Sequence, residues 1–353
     1  MIRRRFARGG GGGQMPLSVI VTRDFDQMSE VAAGLVAEDI RRGLARGPSY
    51  VLGLATGISP TGLYKHLAKA ANAGAFDASR ITSFNLDEYV GLPGENAQQR
   101  ALHKEAYGYF MVQELFGLLR KKFLETNVPW GALIDQGRLE AEMKENPGDW
   151  TLQGEDAGKA IVIGRDARSD YLRWIRRDIL DAYAEKIARR GGIDLHIVGI
   201  GRRGHVGFHE AGIPFEDNEM LLVKLDESTI ANAVADGHFP SRMESPSYAV
   251  SMGAPLIYRA ATVLIVATGK RKARAVADAL LMDPAPSVPV SYSHLAAERG
   301  GRVVFVLDRE AAADVMPQAD RIRGRGIELE EIGAGGASTR VSVISAAPSA
   351  ILR

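Results

Sequence analysis

Tyr50-Val51-Leu52-Gly53-Leu54-Ala55-Thr56-Gly57-Ile58-Ser59-Pro60-Thr61-Gly62-Leu63-Tyr64 joins a short apolar run to a glycine-bearing turn and then to a segment of mixed character. The run Tyr50 to Ala55 has no polar face, the pattern of a strand covered on both sides. Beyond the turn, Leu63, Tyr64, Leu67 and Ala71 recur at helical spacing. Strand, turn and helix in that order form the unit of a parallel sheet.

The same alternation continues on either side. Ser18 to Thr22 reads as a strand, and Met28, Val31, Ala32, Leu35, Val36 and Ile40 follow at helical spacing. Ile81 to Leu86 is a third strand, Leu195 to Ile200 a fourth, Thr262 to Ala267 a fifth and Arg302 to Leu307 a sixth. Helices are expected through Leu172, Ile175, Ile179, Tyr183 and Ile187, ended by Gly191 and Gly192, and from Lys270 to Leu281. The fold class that follows is α/β, a doubly wound, mostly parallel sheet with helices on both faces. Ligands of such sheets bind beyond the carboxyl ends of the strands, so the informative residues are those that follow each strand.

The 353 residues carry 44 Lys and Arg against 43 Asp and Glu, and the net charge of +1 gives no field to attract nucleic acid or a membrane surface. There are no cysteines, which excludes disulfides, thiolate metal sites and cysteine nucleophiles. No apolar run reaches the length needed to span a bilayer. Residues 1–15, with Arg3, Arg4, Arg5 and Arg8 before a glycine run, are expected to be a disordered tail. A secretory signal would need an apolar stretch after those charges, and none follows. One α/β domain is expected over 16–310. A polar stretch near 117–165 is read as a surface insertion and 311–353 as a C-terminal extension, in which Val341 to Ile344 is either an edge strand or part of a loose tail.

Four segments carry the chemistry. The first is the turn quoted above. Small residues let backbone N–H groups approach an anion at a helix start, and Thr56, Ser59 and Thr61 add hydroxyls. The plainer alternative is a helix start with Ser59 as N-cap and Pro60 in the first helical position. The second is Phe84-Asn85-Leu86-Asp87-Glu88-Tyr89-Val90-Gly91-Leu92. Adjacent residues on an extended chain point opposite ways, so one carboxylate can face a cleft while its neighbour makes a structural contact. Asp87 is the candidate general base. The alternative is an acidic strand end capping the next helix.

The third runs from Asp194 to Glu210 and holds His205, His209 and Glu210 after a strand. Histidine suits proton transfer near neutral pH, and Glu210 is placed to orient His205. A solvated loop with incidental histidines is the alternative, weakened because three of the seven histidines fall within it. Gly199, Gly201 and Gly204 form a dinucleotide-like pattern with Asp226 at ribose-gripping distance. Gly207, Gly212 and Pro214 leave no room for the helix that such a site needs, so no nucleotide cofactor is expected. The fourth is Gly269-Lys270-Arg271-Lys272-Ala273, where cations at a helix start oppose the macrodipole and anion binding would explain them. For Lys270 and Arg271, a solvated basic face is the preferred reading.

These four segments, in this order, resemble the glucosamine-6-phosphate deaminase and isomerase family, with 6-phosphogluconolactonase as a more distant relative. The resemblance covers roughly Leu17 to Asp308, outside 117–165. It implies a Rossmann-like cytoplasmic enzyme of the hydrolase and aldose–ketose isomerase type. Such an enzyme opens an amino-sugar phosphate ring, moves a proton between C2 and C1, and releases ammonia to give a ketose phosphate. By the matching motifs, Asp87 would shuttle the proton, His205 would open the ring and Glu210 would be its charge partner. Thr56, Gly57, Ser59 and Lys272 would cradle the phosphate. The resemblance implies a small sugar phosphate as partner, neither metal nor organic cofactor, and a family in which homo-oligomers and allosteric control occur.

The chain departs from the family pattern at named positions. Arg203 stands where the family usually has the Asp of Asp-Gly-His, and is expected to disfavour a protonated His205. His209 stands for the usual Asn before Glu210. The phosphate-binding arginine expected after Ala231-Asn232 is Val234, and Ile58 replaces a second glycine. Arg203 and His209 are therefore the candidate altered-site positions, with Arg203 a candidate anion contact. Two other readings remain. One is another sugar-phosphate hydrolase or isomerase, such as a lactonase. The other is a catalytically silent sugar-phosphate sensor, against which stands the presence together of Asp87, His205, Glu210 and Lys272.

Overall fold

The computed structural model describes residues 17–154, 159–235 and 237–333. The Arg/Gly-rich segment 1–15 and the Val341 to Ile344 strand candidate lie outside the described residues.

Among the described residues, thirteen strands run in chain order, β1 Leu17–Thr22, β2 Tyr50–Leu54, β3 Ile81–Asn85, β4 Asp87–Val90, β5 Glu125–Asn127, β6 Trp150–Gln153, β7 Lys159–Ile163, β8 Leu195–Gly199, β9 Met220–Lys224, β10 Tyr248–Met252, β11 Thr262–Ala267, β12 Arg302–Asp308 and β13 Glu328–Glu331. Eight of them make one sheet in the order β13-β1-β12-β11-β8-β2-β3-β5. Every pairing in it is parallel. All six strands read from the sequence are present, with ends shifted by no more than one residue.

The alternation along each strand explains why these segments read as continuous apolar runs. In β11, Val263, Ile265 and Ala267 enter one core layer. Leu264 and Val266 enter the other. The second layer is covered by α1, Phe25–Arg46, and α2, Thr61–Asn72. Asp24 caps α1 by accepting the Gln27 N–H at 2.9 Å. The first layer is covered by the helices Ala182–Arg189 and Ala273–Leu281. Burial on both faces drives the assembly, since each Val, Leu or Ile taken out of water contributes roughly 1.5–3 kcal/mol.

The chain travels from β2 to β3 through α2 on one face, and from β8 through β11 to β12 along the other. Its direction of travel therefore reverses between β2 and β8, which are neighbours in the sheet. That reversal is where the fold leaves a crevice above the strand ends.

A second sheet, unmarked in the sequence, lies beside the first. β4-β10-β9-β7-β6 form a five-stranded antiparallel sheet packed beside the first. Leu86 joins the two, because its N–H bonds to Leu54 O at 2.9 Å while its carbonyl accepts from Met252 N–H at 2.7 Å. The stretch 117–165 supplies β5 at the edge of the parallel sheet, the helix Gln136–Glu145, and β6 and β7 in the antiparallel one. β13, past residue 310, pairs with β1.

The helix expected through Leu172 and Ile187 is continuous from Asp170 to Arg189, but its middle, Ile175–Asp181, is wound as a π-helix. The wider turns re-aim its apolar face. Tyr171, Leu172, Ile175 and Ile179 pack on the antiparallel sheet, and Tyr183 and Ile187 on the parallel one.

Candidate active site

A cavity of about 550 Å³ opens over the carboxyl ends of β2, β3, β8 and β11. Three loops and the β3–β4 junction build it, and these carry the four segments singled out in the sequence.

The loop after β2 contributes Thr56, Gly57 and Ser59 to the lining. α2 begins at Thr61, one residue later than the N-cap alternative required, and Pro60 at its cap position makes no side-chain hydrogen bond. Ser59 is therefore not the cap, and it lines the cavity, 7% exposed. The loop is held from below by the Tyr64 hydroxyl, which donates to Ala55 O at 2.5 Å. Ile58, at the position where the family's second glycine was expected, borders the cavity and is 65% exposed.

The adjacent carboxylates part company as expected of an extended segment. Glu88 is buried and accepts the N–H groups of Tyr89 at 2.9 Å, Tyr107 at 3.0 Å and Gly108 at 3.1 Å. Burial pushes its carboxyl up to about 7, with these three bonds opposing the rise. It ties β4 to the short helix Tyr107–Met111 and does not line the cavity. Asp87 does line it. Its Oδ1 is buried without a hydrogen-bond partner. Desolvation, and then the nearby Glu88, raise its carboxyl well above the usual aspartate range. Gly207 lets the chain pass close by. With φ at +54°, a side chain there would be strained, and its Cβ would come within 2.8 Å of Ser251 Oγ and 3.4 Å of Asp87 Oδ2.

The loop after β8 folds as a tight turn in which Gly201 N–H donates to His205 O at 2.9 Å. The His205 ring lies against the bare Cα of Gly201, where a Cβ would sit 2.0 Å from Nε2. His205 Nδ1 is 2.9 Å from Glu210 Oε2. Glu210 Oε1 in turn accepts the Thr229 hydroxyl at 2.7 Å. Burial would raise Glu210, but the His205 ring and the Thr229 hydroxyl outweigh it and hold the carboxyl below the usual range. No helix follows the glycines, and the chain turns irregularly until β9. Asp226, the residue a ribose would require, is occupied by Arg203.

The two altered-site candidates lie outside the cavity. Arg203 Nη1 pairs with Asp226 Oδ2 at 3.0 Å, so its charge is met by a carboxylate. Its neighbour Arg202 lines the cavity instead. His209 is fully buried, with Nε2 3.1 Å from Ile213 O. Its Nδ1 accepts the Ala254 N–H at 3.1 Å. Both ring nitrogens thus serve backbone groups, and burial pushes the ring down to about 4, keeping it neutral.

After β11, Thr268 and Gly269 hydrogen-bond to Asp308. That anchors the turn Lys270–Lys272, and all three of its side chains line the cavity. Lys270 and Arg271, expected on a solvated face, therefore border the site, as does Glu310. Val234 packs among the apolar residues around Phe208 and Phe239 and does not line the cavity.

Sequence reasoning missed the remaining wall. Tyr89 and Tyr107 have ring centroids 4.9 Å apart. Tyr89 and Phe208 are 5.5 Å apart, and all three rings line the cavity. His238 also lines it, with Nδ1 3.0 Å from Glu105 Oε2. Tyr89 and Phe208 stood inside quoted motifs, but nothing local marked Tyr107 or His238. Among the described residues, no group of three His, Cys, Asp or Glu side chains converges on a metal position. None of their helices is long and apolar enough to cross a membrane.

A family model for glucosamine-6-phosphate isomerases/6-phosphogluconolactonase matches residues 173–304. A glucosamine-6-phosphate deaminase of Clostridioides difficile (strain 630) is 33% identical over 303 residues, which is 86% of this chain and 98% of the relative. The chain belongs to the glucosamine-6-phosphate isomerase/6-phosphogluconolactonase family. A solved structure of a monomeric glucosamine-6-phosphate deaminase, also of this family, is 25% identical with a TM-score of 0.62, covering 84% of this chain and all 100% of that one. The 6-phosphogluconolactonase from Trypanosoma cruzi shares the fold, at 20% identity and a TM-score of 0.56 over 86% of this chain and 98% of that one. The family is one of enzymes acting on phosphorylated sugars, and a cavity that brings together hydroxyls, cations, an ionisable carboxyl and a histidine paired with a carboxylate accords with it.

Proposed function

We propose that this enzyme deaminates and isomerises glucosamine 6-phosphate, giving fructose 6-phosphate and ammonia. The observation that carries the reading is Asp87, a carboxyl in the wall of a 550 Å³ cavity with one buried oxygen that nothing in the fold satisfies. A group left that way costs stability, roughly 1–3 kcal/mol, and a proton-transfer role accounts for it.

The steps balance as follows. His205, oriented by Glu210, delivers a proton to the ring oxygen as the bond from C1 to that oxygen breaks, and a proton leaves the C1 hydroxyl to give the open aldehyde. Asp87 takes the proton from C2 as O1 gains one, and an enol forms between C1 and C2. Return of a proton to C1, with loss of one from the nitrogen, leaves an imine at C2. Water adds to that imine, and ammonia departs to leave the ketone. One water is consumed and one ammonia released, so the last step is a hydrolysis that follows an isomerisation. Thr56, Gly57, Ser59 and Lys272 are suited to the phosphate, with backbone N–H groups, hydroxyls and a cation gathered near the start of α2.

The test is release of ammonia and fructose 6-phosphate from glucosamine 6-phosphate by the parent enzyme and by Asp87→Asn. Positioned acid–base groups contribute roughly 10²–10⁴-fold, and a loss of that size is expected in the variant. Equal turnover in parent and variant would remove Asp87 from the mechanism.

A further inference from the structure

The parallel sheet orders its central strands β11-β8-β2. The loop after β8 therefore rises between the Lys270–Lys272 turn, which follows β11, and the Thr56–Ser59 loop, which follows β2. Those flanking loops are the ones suited to a phosphate. The residue that the middle loop presents to the cavity at this point is Arg202. The next residue, Arg203, is drawn away to Asp226. The helix Glu227–Ala235 lines the cavity through Thr229 and brings no cation from position 234, which is a valine packed with the cluster of Phe208 and Phe239.

We infer that Arg202 is a ligand of the substrate phosphate, supplying from the β8 loop a guanidinium that the helix Glu227–Ala235, with Val234, does not supply. The inference rests on the sugar-phosphate reading of the cavity and specifies how this chain satisfies it. A guanidinium suits the task because its planar fork of N–H donors matches two phosphate oxygens at once. With Lys272 it offsets a dianion at a site that also contains Asp87 and Glu310. Arg203, by contrast, is a structural partner of Asp226.

The experiment measures binding and turnover separately. Binding of inorganic phosphate and of fructose 6-phosphate is followed by isothermal titration in the parent, Arg202→Ala and Arg202→Lys. KM and kcat for glucosamine 6-phosphate are measured alongside. Hydrogen bonds between charged groups correspond to a change of roughly tenfold to hundredfold. Arg202→Ala is expected to weaken both ligands by about that factor and to raise KM with kcat changed little, and Arg202→Lys to recover part of the loss. Binding of unphosphorylated glucosamine should be the same in all three proteins. Undiminished binding of both phosphate ligands by Arg202→Ala, or an equal loss for glucosamine, overturns the inference. Should Arg202→Ala fail to fold, parent-like phosphate affinity with an unchanged KM for Arg202→Glu overturns it equally. A parent that releases no ammonia, yet loses phosphate affinity on Arg202→Ala, refutes the deaminase reading and upholds the phosphate ligand. A parent that binds neither phosphate compound refutes both.

Discussion

Asp87 at the β3–β4 junction lines the cavity, whereas Glu210 in the loop after β8 reaches it only through His205, and the two carboxylates are 5% and 3% exposed. Their ionisation moves in opposite directions. Asp87 is raised, by desolvation first and by Glu88 second. Glu210 is lowered, since the His205 ring and the Thr229 hydroxyl overcome its desolvation. Burial does not separate the two groups, but their partners do. The junction withholds hydrogen bonds from its carboxyl, which keeps a proton exchangeable, whereas the loop surrounds its carboxyl with donors, which fixes a histidine. Two acids pushed apart by their surroundings are a common basis for dividing acid and base roles.

Substituting each with its amide tests that contrast most strongly. Asp87→Asn removes a charge the fold disfavours and should raise stability by about 1 kcal/mol, a few degrees in melting temperature. The sign of the pH dependence follows from linkage. A carboxyl raised in the folded state is a liability that begins above the unfolded value near ~4. The advantage of Asp87→Asn over the parent should therefore grow as pH rises from 4 to 8. Glu210→Gln should lower stability by roughly 1–3 kcal/mol. The stabilisation it removes is present above the unfolded carboxylate value and fades as pH falls through the lower folded one, so its deficit should shrink below pH ~4. Melting curves of parent and variants across that range decide the matter. Shifts of the same sign in both variants would mean that burial, rather than partners, governs the two sites.

A second contrast lies within the β8 loop, between His205 at the cavity and His209 beneath it. In the sequence they lie four residues apart, His205 as a catalytic candidate and His209 as an altered-site position. The structure gives His209 two backbone partners, 3.1 Å each, and no exposure. With its ring lowered to about 4, the folded state resists protonation while the unfolded chain accepts it near ~6.5. Stability should therefore fall as pH drops from 6.5 toward 4, by on the order of 3 kcal/mol from this ring at the lower limit. Buried His196, also lowered to about 4, adds a second contribution of the same sign. His209→Gln, which retains a donor and an acceptor, should cost about 1–2 kcal/mol at pH 7 and flatten the acid limb of stability. An acid limb identical to the parent's would show that His209 is not its source.

These contrasts mark what the sequence could reveal. The parallel sheet was legible because its strands are buried on both faces and read as unbroken apolar runs, as in Thr262–Ala267. The antiparallel sheet was not. β4 starts one residue after β3 ends, and Leu86 bonds to both sheets, so the change of partner leaves no break in the apolar pattern. β6 is half open to water, and the parallel sheet's own edge strand β5 escaped too, since three residues are too few for a period to register. At the cavity, Asp87, His205, Lys272 and the Thr56–Ser59 loop were legible because each follows a strand. Tyr107 and His238 reach the cavity from segments without such a marker.

The smallest effect is expected at the position that looked most disruptive in the sequence. An arginine two residues before His205 was expected to disfavour its protonated form. The Arg203 guanidinium instead meets Asp226 at 3.0 Å, and 45% of its side chain is exposed. An ion pair so open to solvent contributes roughly 0–1 kcal/mol, and salt weakens it further. Asp226 does not depend on it alone, since it also accepts the Ser228 N–H at 2.6 Å. Arg203→Ala should accordingly leave KM within about twofold and change stability by no more than about 1 kcal/mol, less at high salt. The pH–rate profile separates this account from the sequence-based one. If Arg203 acts on His205 through space, removing it shifts the limb assigned to the histidine upward. If Asp226 neutralises it, the profiles of parent and variant superpose.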